Sequence, residues 1–235
     1  MSALPLTVIL LILPVRALLA QPGFPDLVAE AFGNDQELVN GIQFANHYST
    51  VDGHPYFLDE QFRRGSIHMN KVVYEDQRIR YNLFTQKLEV EYLTTAGNLN
   101  QYMSVPELIP SFTLDGRTFI RMGPGEGPLA YYQVITSGST AFYIGWRKIK
   151  KLSRGDSSRE YMFSTPLSTY WMKQGEDLSP FHNRKSFIAL FPEALQKDIS
   201  RMLKQGKFSF RQPTVPEAEN MIEAALRIYE RSKSP

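Results

Sequence analysis

RIRYNLFTQKLEVEYL, residues 78–93, alternates apolar and polar side chains on both sides of a short polar turn. Alternation with a period of two is typical of a β-strand that is buried on one face. With a turn at Thr85 and Gln86, one face of the resulting hairpin carries only apolar side chains. The pairs on that face are Leu83 with Leu88, Tyr81 with Val90, and Ile79 with Tyr92. The stretch therefore predicts an antiparallel hairpin that packs one face on a core.

The opposite face of this hairpin is polar. The same register places Asn82 opposite Glu89 and Arg80 opposite Glu91. A charged cross-strand pair on a sheet surface contributes a few tenths to about 1 kcal/mol. Glu89 and Glu91 are the acids best placed for the carboxylate pair of a glycoside hydrolase. We expect them instead to be surface residues without a catalytic role, because Asn82 and Arg80 lie opposite them as cross-strand partners.

A second hairpin is predicted in PLAYYQVITSGSTAFYIGW, residues 128–146, with its turn at Ser137 and Gly138. Both of its faces are apolar, which is typical of strands in the middle of a structure. One face carries Tyr132, Val134, Ala141 and Tyr143, and the other carries Tyr131, Ile135, Phe142, Ile144 and Trp146. We expect these side chains to form the core, and the alternative is that they line a pocket for a hydrophobic ligand.

The periodicity along the chain predicts an α+β fold that is dominated by β-structure. A short amphipathic helix is predicted over residues 24–32, and residues 38–173 form an antiparallel sheet, sandwich or barrel-like body. Residues 184–231 form a helical C-terminal segment packed on that body. Within it, Pro192 fits the first turn of a helix, residues 208–210 are strand-like, and Thr214 opens the last helix with a capping box. We treat residues 21–235 as a single domain.

The N-terminus predicts export. Residues 4–20 read LPLTVILLILPVRALLA, an apolar run that ends in a small residue, as in a secretory signal peptide. We therefore expect residues 1–20 to be a cleaved signal, although its first residues lack the usual Lys or Arg. The protein would then be periplasmic, associated with the outer membrane or secreted. It would have no transmembrane span after cleavage, and we expect no nucleic-acid partner.

Composition excludes some chemistry and leaves one charged cluster to explain. The chain has 0 cysteines, so disulfides and a thiol nucleophile are ruled out. Its net charge is only +2, but basic residues cluster after the second hairpin. The cluster could be a patch that binds an anionic lipid, a glycan or a protein partner. We favour the alternative, in which it is a solvated strand end. Its members are Arg147, Lys148, Lys150, Lys151 and Arg154.

The sequence contains no catalytic signature that we recognise. It lacks a nucleophile elbow, and the most suggestive polar cluster is HYSTVDGHPYFLDE, residues 47–60. Two imidazoles with carboxylates can bind a divalent metal, but this spacing fits no metal motif. We therefore expect no cofactor and do not expect an enzyme. The weak metal candidates are His47, Asp52, His54 and Asp59.

The chain resembles a family of exported, β-rich Bacteroidota-type envelope proteins that has no assigned function. The resemblance lies in GHPYF (53–57), RGSIHMN (64–70), IRYNLF (79–84), LEVEYL (88–93), SFTLDGRTF (111–119) and the helical tail. It implies an envelope location and a role in periplasmic or surface assembly, and it carries over no functional residues.

Three functions remain open. The first hypothesis is a non-enzymatic binding or assembly scaffold, whose partner is an envelope protein, a glycan or a hydrophobic ligand. The second is a periplasmic, glycan-directed hydrolase. The third is a carrier with an apolar cavity between the sheet and the helices. A concave pocket where His54, Asp59 or paired carboxylates converge would favour the hydrolase.

Overall fold

β-Strands dominate the part of the chain that the computed structural model describes, which comprises residues 42–43, 48–93, 99–125, 127–153 and 159–232. Two sheets and three helices lie within these ranges. They confirm the predicted α+β, β-dominated fold with a helical C-terminal segment. The signal-like residues 1–20 and the predicted helix over residues 24–32 lie outside the described residues.

Fourteen strands are found in the described ranges, together with a 3₁₀ turn at Pro106–Leu108. The strands are β1 (Ile42–Gln43), β2 (Val51–Asp52), β3 (Arg63–Met69), β4 (Val72–Asn82), β5 (Lys87–Leu93), β6 (Leu99–Met103), β7 (Ser111–Leu114), β8 (Arg117–Met122), β9 (Ala130–Ser137), β10 (Thr140–Arg147), β11 (Lys150–Leu152), β12 (Tyr161–Phe163), β13 (Leu167–Gln174) and β14 (Asp177–Phe181).

Eleven of these strands form one large antiparallel sheet. Its order is β1-β6-β5-β4-β3-β7-β8-β9-β10-β13-β14, and its two outermost strands are not paired with each other, so the sheet is open. A second sheet has the order β11-β12-β2, in which β12 and β2 run parallel. Most neighbours in the large sheet are also consecutive along the chain, as expected for strands joined by tight turns.

The first predicted hairpin is present, as β4 and β5, but its register differs from the prediction. Arg80 pairs with Glu89 and Arg78 with Glu91, because a four-residue turn over residues 83–86 replaces the two-residue turn. The Asn82 side chain explains the longer turn, since its Oδ1 accepts hydrogen bonds from the backbone N–H groups of Phe84 and Thr85, each at 3.0 Å. The faces are as predicted, because the slip preserves the alternation.

The second hairpin, β9 and β10, shows the same kind of error. Ser137 pairs with Thr140, so the turn is formed by Gly138 and Ser139, one residue later than predicted. Gly138 has a φ of 54°, a conformation that glycine adopts without strain and that suits the first position of a two-residue hairpin turn. Both faces are apolar as predicted, and Phe142, Ile144 and Trp146 are buried.

The large sheet is strongly curved around one face, which we call the inner face. Tyr81 on β4 and Tyr131 on β9 are four positions apart in the strand order, or about 19 Å in a flat sheet at the usual strand spacing. Their ring centroids are only 5.7 Å apart. Phe112 and Phe119 stack beside them at 4.7 Å. Aromatic rings therefore fill the concave side of the sheet.

Three helices follow the sheet: α1 (Arg184–Ile188), α2 (Glu193–Gln205) and α3 (Val215–Arg231). The helix α3 begins with the predicted capping box, in which Thr214 Oγ1 accepts from Glu217 N–H and Glu217 Oε2 accepts from Thr214 N–H. Its apolar stripe is buried in the core. That stripe comprises Ala218, Met221, Ile222, Ala225 and Leu226.

An ion pair ties α3 to the sheet. Arg117 on β8 donates from Nε to Glu219 Oε1 at 2.6 Å and from Nη2 to Glu219 Oε2 at 3.1 Å. Gln133 on β9 donates to the same carboxylate and accepts from the Trp146 indole N–H at 2.8 Å. These contacts fix the helix over the inner face.

Two details of the C-terminal segment differ from the prediction. Pro192 is the residue that precedes α2 rather than part of its first turn. Residues 208–210 are not a strand, and Phe208 and Phe210 pack partly buried against the core instead. No helix in the described ranges is long and apolar enough to cross a membrane.

Candidate functional site

We call the face of β4 and β5 that points away from the core the outer face, and residues 55–57 pair with the end of β4. Two backbone hydrogen bonds fasten this segment to β4: Phe57 N–H to Tyr81 O and Leu83 N–H to Pro55 O, both at 2.8 Å. They make Tyr56 the bridge partner of Asn82. Because paired residues share a face, Tyr56 joins the polar side chains of the hairpin and Phe57 turns into the core.

Glu89 is the centre of a buried polar cluster on this face. Its side chain has no exposed surface. One oxygen accepts from Arg80 Nε at 2.6 Å and the other from Asn82 Nδ2 at 3.0 Å, and the Tyr56 side chain is also hydrogen-bonded to it. A buried carboxylate is tolerable when it is paired and hydrogen-bonded in this way. We call Tyr56, Arg80, Asn82 and Glu89 the Glu89 cluster.

Arg80 connects the cluster to the segment above it. Its guanidinium lies 3.9 Å from the ring centroid of Tyr56 and 4.3 Å from that of Phe62. Its Nη1 donates to the backbone oxygen of Glu60 at 3.0 Å. Arginine favours such combined stacking and hydrogen bonding, because its guanidinium is planar and always charged. Arg80 therefore holds residues 56–62 in place over Glu89.

The tyrosine hydroxyls beside the cluster stay protonated at neutral pH. Burial raises the pKa of Tyr56 well above its usual value, and the negative charge of Glu89 raises it further. Burial also raises the pKa of Tyr48. Desolvation disfavours the phenolate because charge is costly away from water. Both hydroxyls therefore keep their protons, and that of Tyr56 is donated to Glu89.

His54 and Lys148 form a second polar pair next to the cluster. His54 Nδ1 accepts from the backbone N–H of Tyr56 at 3.2 Å, and Lys148 Nζ donates to the backbone oxygen of His54 at 2.8 Å. Nζ also lies 3.4 Å from Nδ1. Burial and the nearby Lys148 charge lower the pKa of His54, and burial lowers that of Lys148 to about 8. His54 is therefore a neutral imidazole at pH 7.

These groups surround a cavity of about 370 Å³, which we call the outer-face cleft. Small-molecule sites commonly occupy roughly 300–1,000 Å³ and carry a few fixed polar groups. The cleft has this character, since most of its lining side chains are polar or aromatic. Its lining residues are Tyr48, Ser49, Val51, Gly53, His54, Pro55, Tyr56, Glu60, Arg80 and Arg159.

The metal candidates do not converge in the described structure. His54 lines the cleft, whereas Asp52 faces Arg159 at 3.6 Å. Asp59 pairs with Arg63 at 2.5 Å and accepts from the Gln61 N–H. Within the described ranges, no three His, Asp or Glu side chains are grouped so that they could hold a metal ion. His47, the remaining candidate, lies outside these ranges.

The predicted basic patch is divided between two environments. Arg147, Lys150 and Lys151 are exposed, and the Lys150 ammonium lies 4.7 Å from the ring centroid of Tyr161. Lys148 is only 8% exposed and belongs to the cleft through His54. Arg154 lies outside the described residues. A partner for the three exposed residues stays a prediction.

The two acids singled out on β5 differ from the expectation in both partner and burial. In the backbone register Glu89 lies opposite Arg80 instead of Asn82, although Asn82 still donates to it at 3.0 Å, and Glu91 pairs with Arg78 at 2.5 Å. They were expected on the surface, but Glu89 is fully buried and Glu91 is 8% exposed. For Glu89 the reason is its own cluster, since Arg80, Asn82 and Tyr56 contact its carboxylate.

Sequence reasoning did not single out Tyr56, Arg80 and Arg159 as members of a site, although Glu60 belongs to the polar cluster that it identified. One sequence pattern could have identified this site: in GHPYF, Gly53 and Pro55 indicate a bend, and His54 and Tyr56 lie on that bend. A second depression, a groove of about 650 Å³, lies between α2 and α3, but none of the sequence-predicted site residues lines it. The outer-face cleft is therefore the better candidate.

No protein-family model, curated protein or solved structure matches this chain.

Proposed function

We propose that the protein is an exported, non-enzymatic binding protein that takes a small polar ligand into the outer-face cleft. The observation that carries this proposal is a concave space of about 370 Å³ whose walls are tied to the buried carboxylate of Glu89. Such fixed walls favour binding, because little side-chain freedom is lost when a ligand enters. The envelope location follows from the signal-like residues 1–20.

A glycan-directed hydrolase is less well supported by the positions of the acids. Glycoside hydrolysis generally uses two carboxyl groups that flank the scissile bond. Glu60 lines the cleft, but Glu89 lies beneath Arg80. Glu91 is engaged with Arg78. Glu89 and Glu91, the acids that the sequence places best for a carboxylate pair, are therefore partners of arginine.

A carrier of a hydrophobic ligand is also less well supported. Such a carrier needs an apolar cavity between the sheet and the helices. In the described structure aromatic side chains occupy that space, and Phe142, Phe181 and Phe187 have ring centroids 5.0–6.1 Å apart. Interiors packed at this density leave little room for a ligand.

Filling the cleft tests the binding proposal. Ser49 is exposed and lines the cleft, so Ser49→Trp should obstruct it without disturbing the core. The matched control is Ser139→Trp, an exposed turn residue at the other end of β10. Titration calorimetry with galactose, N-acetylglucosamine, galacturonate, glycine and inorganic phosphate should show binding of at least one probe. We expect its affinity to fall at least tenfold in Ser49→Trp and to be unchanged in Ser139→Trp.

Two results would overturn the proposal. One is that no probe binds, or that Ser49→Trp binds as well as the unmodified protein. The other is the release of new reducing ends from N-acetylglucosamine oligomers, provided that Ser49→Trp abolishes the release. The second result would assign the cleft to the hydrolase hypothesis.

Export requires its own test. The chain should be expressed in a Gram-negative host, fractionated, and its N-terminus determined by mass spectrometry. We expect a periplasmic or outer-membrane form that begins at Gln21, since Ala20 is the small residue at the predicted cleavage site. Leu10→Arg, which interrupts the apolar run, should keep the chain in the cytoplasm. An unmodified chain that remains cytoplasmic with residues 1–20 intact would contradict the prediction.

A further inference from the structure

The charged groups around the outer-face cleft are balanced. Three charged side chains line it, namely Arg80, Arg159 and Glu60, and each has a group of opposite charge nearby. Arg80 is paired with Glu89 and Arg159 faces Asp52, while Glu60 and Lys148 interact at longer range. A ligand with a net charge would leave that charge uncompensated in a partly buried site, which costs free energy. The balance therefore favours an uncharged ligand.

The hydrogen bonds of His54 determine which of its ring nitrogens carries the proton. The backbone N–H of Tyr56 can only donate, and it points to Nδ1 at 3.2 Å. The ammonium of Lys148 also can only donate, and its Nζ lies 3.4 Å from the same Nδ1. Nδ1 is therefore the acceptor, and in the neutral ring the proton is on Nε2. His54 thus provides one N–H donor on a side chain that lines the cleft.

The cleft combines this donor with an acceptor. Glu60, whose carboxylate can only accept when ionised, lines the same cavity as His54. A hydroxyl group both donates and accepts, so it matches this combination better than an ammonium or a carboxylate does. The half-buried Tyr48 adds an aromatic ring to the lining. Hydroxyl groups on an uncharged carbon ring satisfy all three features.

We propose that the ligand of the outer-face cleft is an uncharged saccharide, and that His54 determines this specificity by donating from Nε2 to a ligand oxygen. The inference rests on the proposed binding function and adds the ligand class and the residue that selects it. Lys148 and the Tyr56 N–H hold the ring in the required tautomer.

The ligand class is tested by competition within the same panel of probes. Galactose or N-acetylglucosamine should bind at least tenfold more tightly than galacturonate, glycine or inorganic phosphate. Preferential binding of galacturonate or phosphate that is lost in Ser49→Trp would overturn the ligand class and leave the binding function standing. Absence of binding by every probe would overturn both, so the two failures are distinguishable.

The role of His54 is tested with two variants that differ in the position of the donor. His54→Gln places an amide N–H near the position of Nε2, whereas His54→Asn reaches only to the position of Nδ1. We expect saccharide affinity to stay within threefold in His54→Gln and to fall at least tenfold in His54→Asn. Equal affinities in the two variants would overturn the assignment. Thermal unfolding of both variants checks that the fold is retained.

The tautomer is measured directly by ¹⁵N NMR of the imidazole ring. At pH 7.5, His54 should show a protonated Nε2 and an unprotonated Nδ1. Saccharide should shift the Nε2 resonance more than the Nδ1 resonance, because only Nε2 contacts the ligand. A ring protonated on Nδ1, or a saccharide that leaves Nε2 unchanged, would overturn the proposal.

Discussion

The two faces of the β4–β5 hairpin are both buried, but by opposite means. On the inner face, Tyr81 and Leu88 pack among aromatic rings from β7, β8 and β9. On the outer face, Arg80 and Glu89, which alternate with those residues along the same strands, form an ion pair, and the Arg80 guanidinium also contacts the rings of Tyr56 and Phe62. The inner face is stabilised by the removal of apolar surface from water, and an apolar side chain needs no hydrogen-bonding partner for this. The outer face is stable only while each polar group is paired.

This difference separates what each face can do. An apolar core filled by rings presents few polar groups to a ligand. The outer face holds a cavity and a buried amine whose pKa of about 8 lies within reach of experiment. Shape therefore determines the stability of the inner face, and charge pairing determines that of the outer face. Three variants test this contrast.

The largest expected effect is on the inner face. Phe119 is fully buried and contacts Phe57, Tyr81 and Phe112. Phe119→Ala should lower the free energy of unfolding by about 3–5 kcal/mol, because it removes apolar contacts and leaves a cavity. The control is Ile120→Ala, whose side chain lies on the opposite face of the same strand and is only half-buried. Urea denaturation measures both, and equal losses would contradict the importance of the inner face.

On the outer face, Glu89→Gln should have a smaller but clear effect. The substitution keeps the shape of the side chain but leaves the Arg80 guanidinium, whose side chain is 12% exposed, without a charged partner. We expect a loss of about 1–3 kcal/mol, the usual cost of a buried polar group that loses its partner.

The matched control for this change is Glu91→Gln on the same strand. Its partner Arg78 is 57% exposed, so water replaces the lost interaction and the effect should stay below about 1 kcal/mol. Guanidinium chloride denaturation, with the slope compared between variants, measures the two losses. If Glu89→Gln and Glu91→Gln are equally stable, pairing does not stabilise the outer face.

In both hairpins, the sequence predicted which residues share a sheet face, but not which residues lie opposite each other on the two strands. The reason is the same in both. Alternation identifies which residues share a face, and a slip of two residues leaves that assignment unchanged. The exact pairs depend on the turn, and turns depend on local chemistry that alternation does not report. In the first hairpin Asn82 caps a longer turn, and in the second Gly138 takes the first turn position.

The cleft was harder to predict because its parts are distant in sequence. Lys148 has basic neighbours in the chain, and so it was assigned to a surface patch. The backbone hydrogen bond from its own N–H to Leu83 O, at 3.2 Å, joins the end of β10 to the turn of the first hairpin and carries its side chain to His54. Such contacts arise from the curvature of the sheet, which no local pattern reports. His54 and Glu60 were identified in one polar cluster, but Arg80 was not connected with them.

The smallest expected effect is a change in the pH dependence of stability at Lys148. Its pKa is about 8 in the folded protein against 10.5 ordinarily, so between these values the unfolded chain binds a proton that the folded chain does not. The free energy of unfolding should therefore rise with pH in this range, with a slope of at most about 1.4 kcal/mol per pH unit from this residue. Lys148→Met should lack that contribution.

The quantity to measure is the unfolding free energy of the original protein minus that of Lys148→Met, between pH 7.5 and pH 10. Buried tyrosines titrate higher in the folded state, but their contributions are common to both proteins and cancel in the difference. The difference should rise with pH. Lys150→Met, which changes an exposed lysine, should give a flat difference instead. A flat difference for Lys148→Met as well would mean that this amine is not desolvated, and a titrating lysine would no longer distinguish the outer face from the inner face.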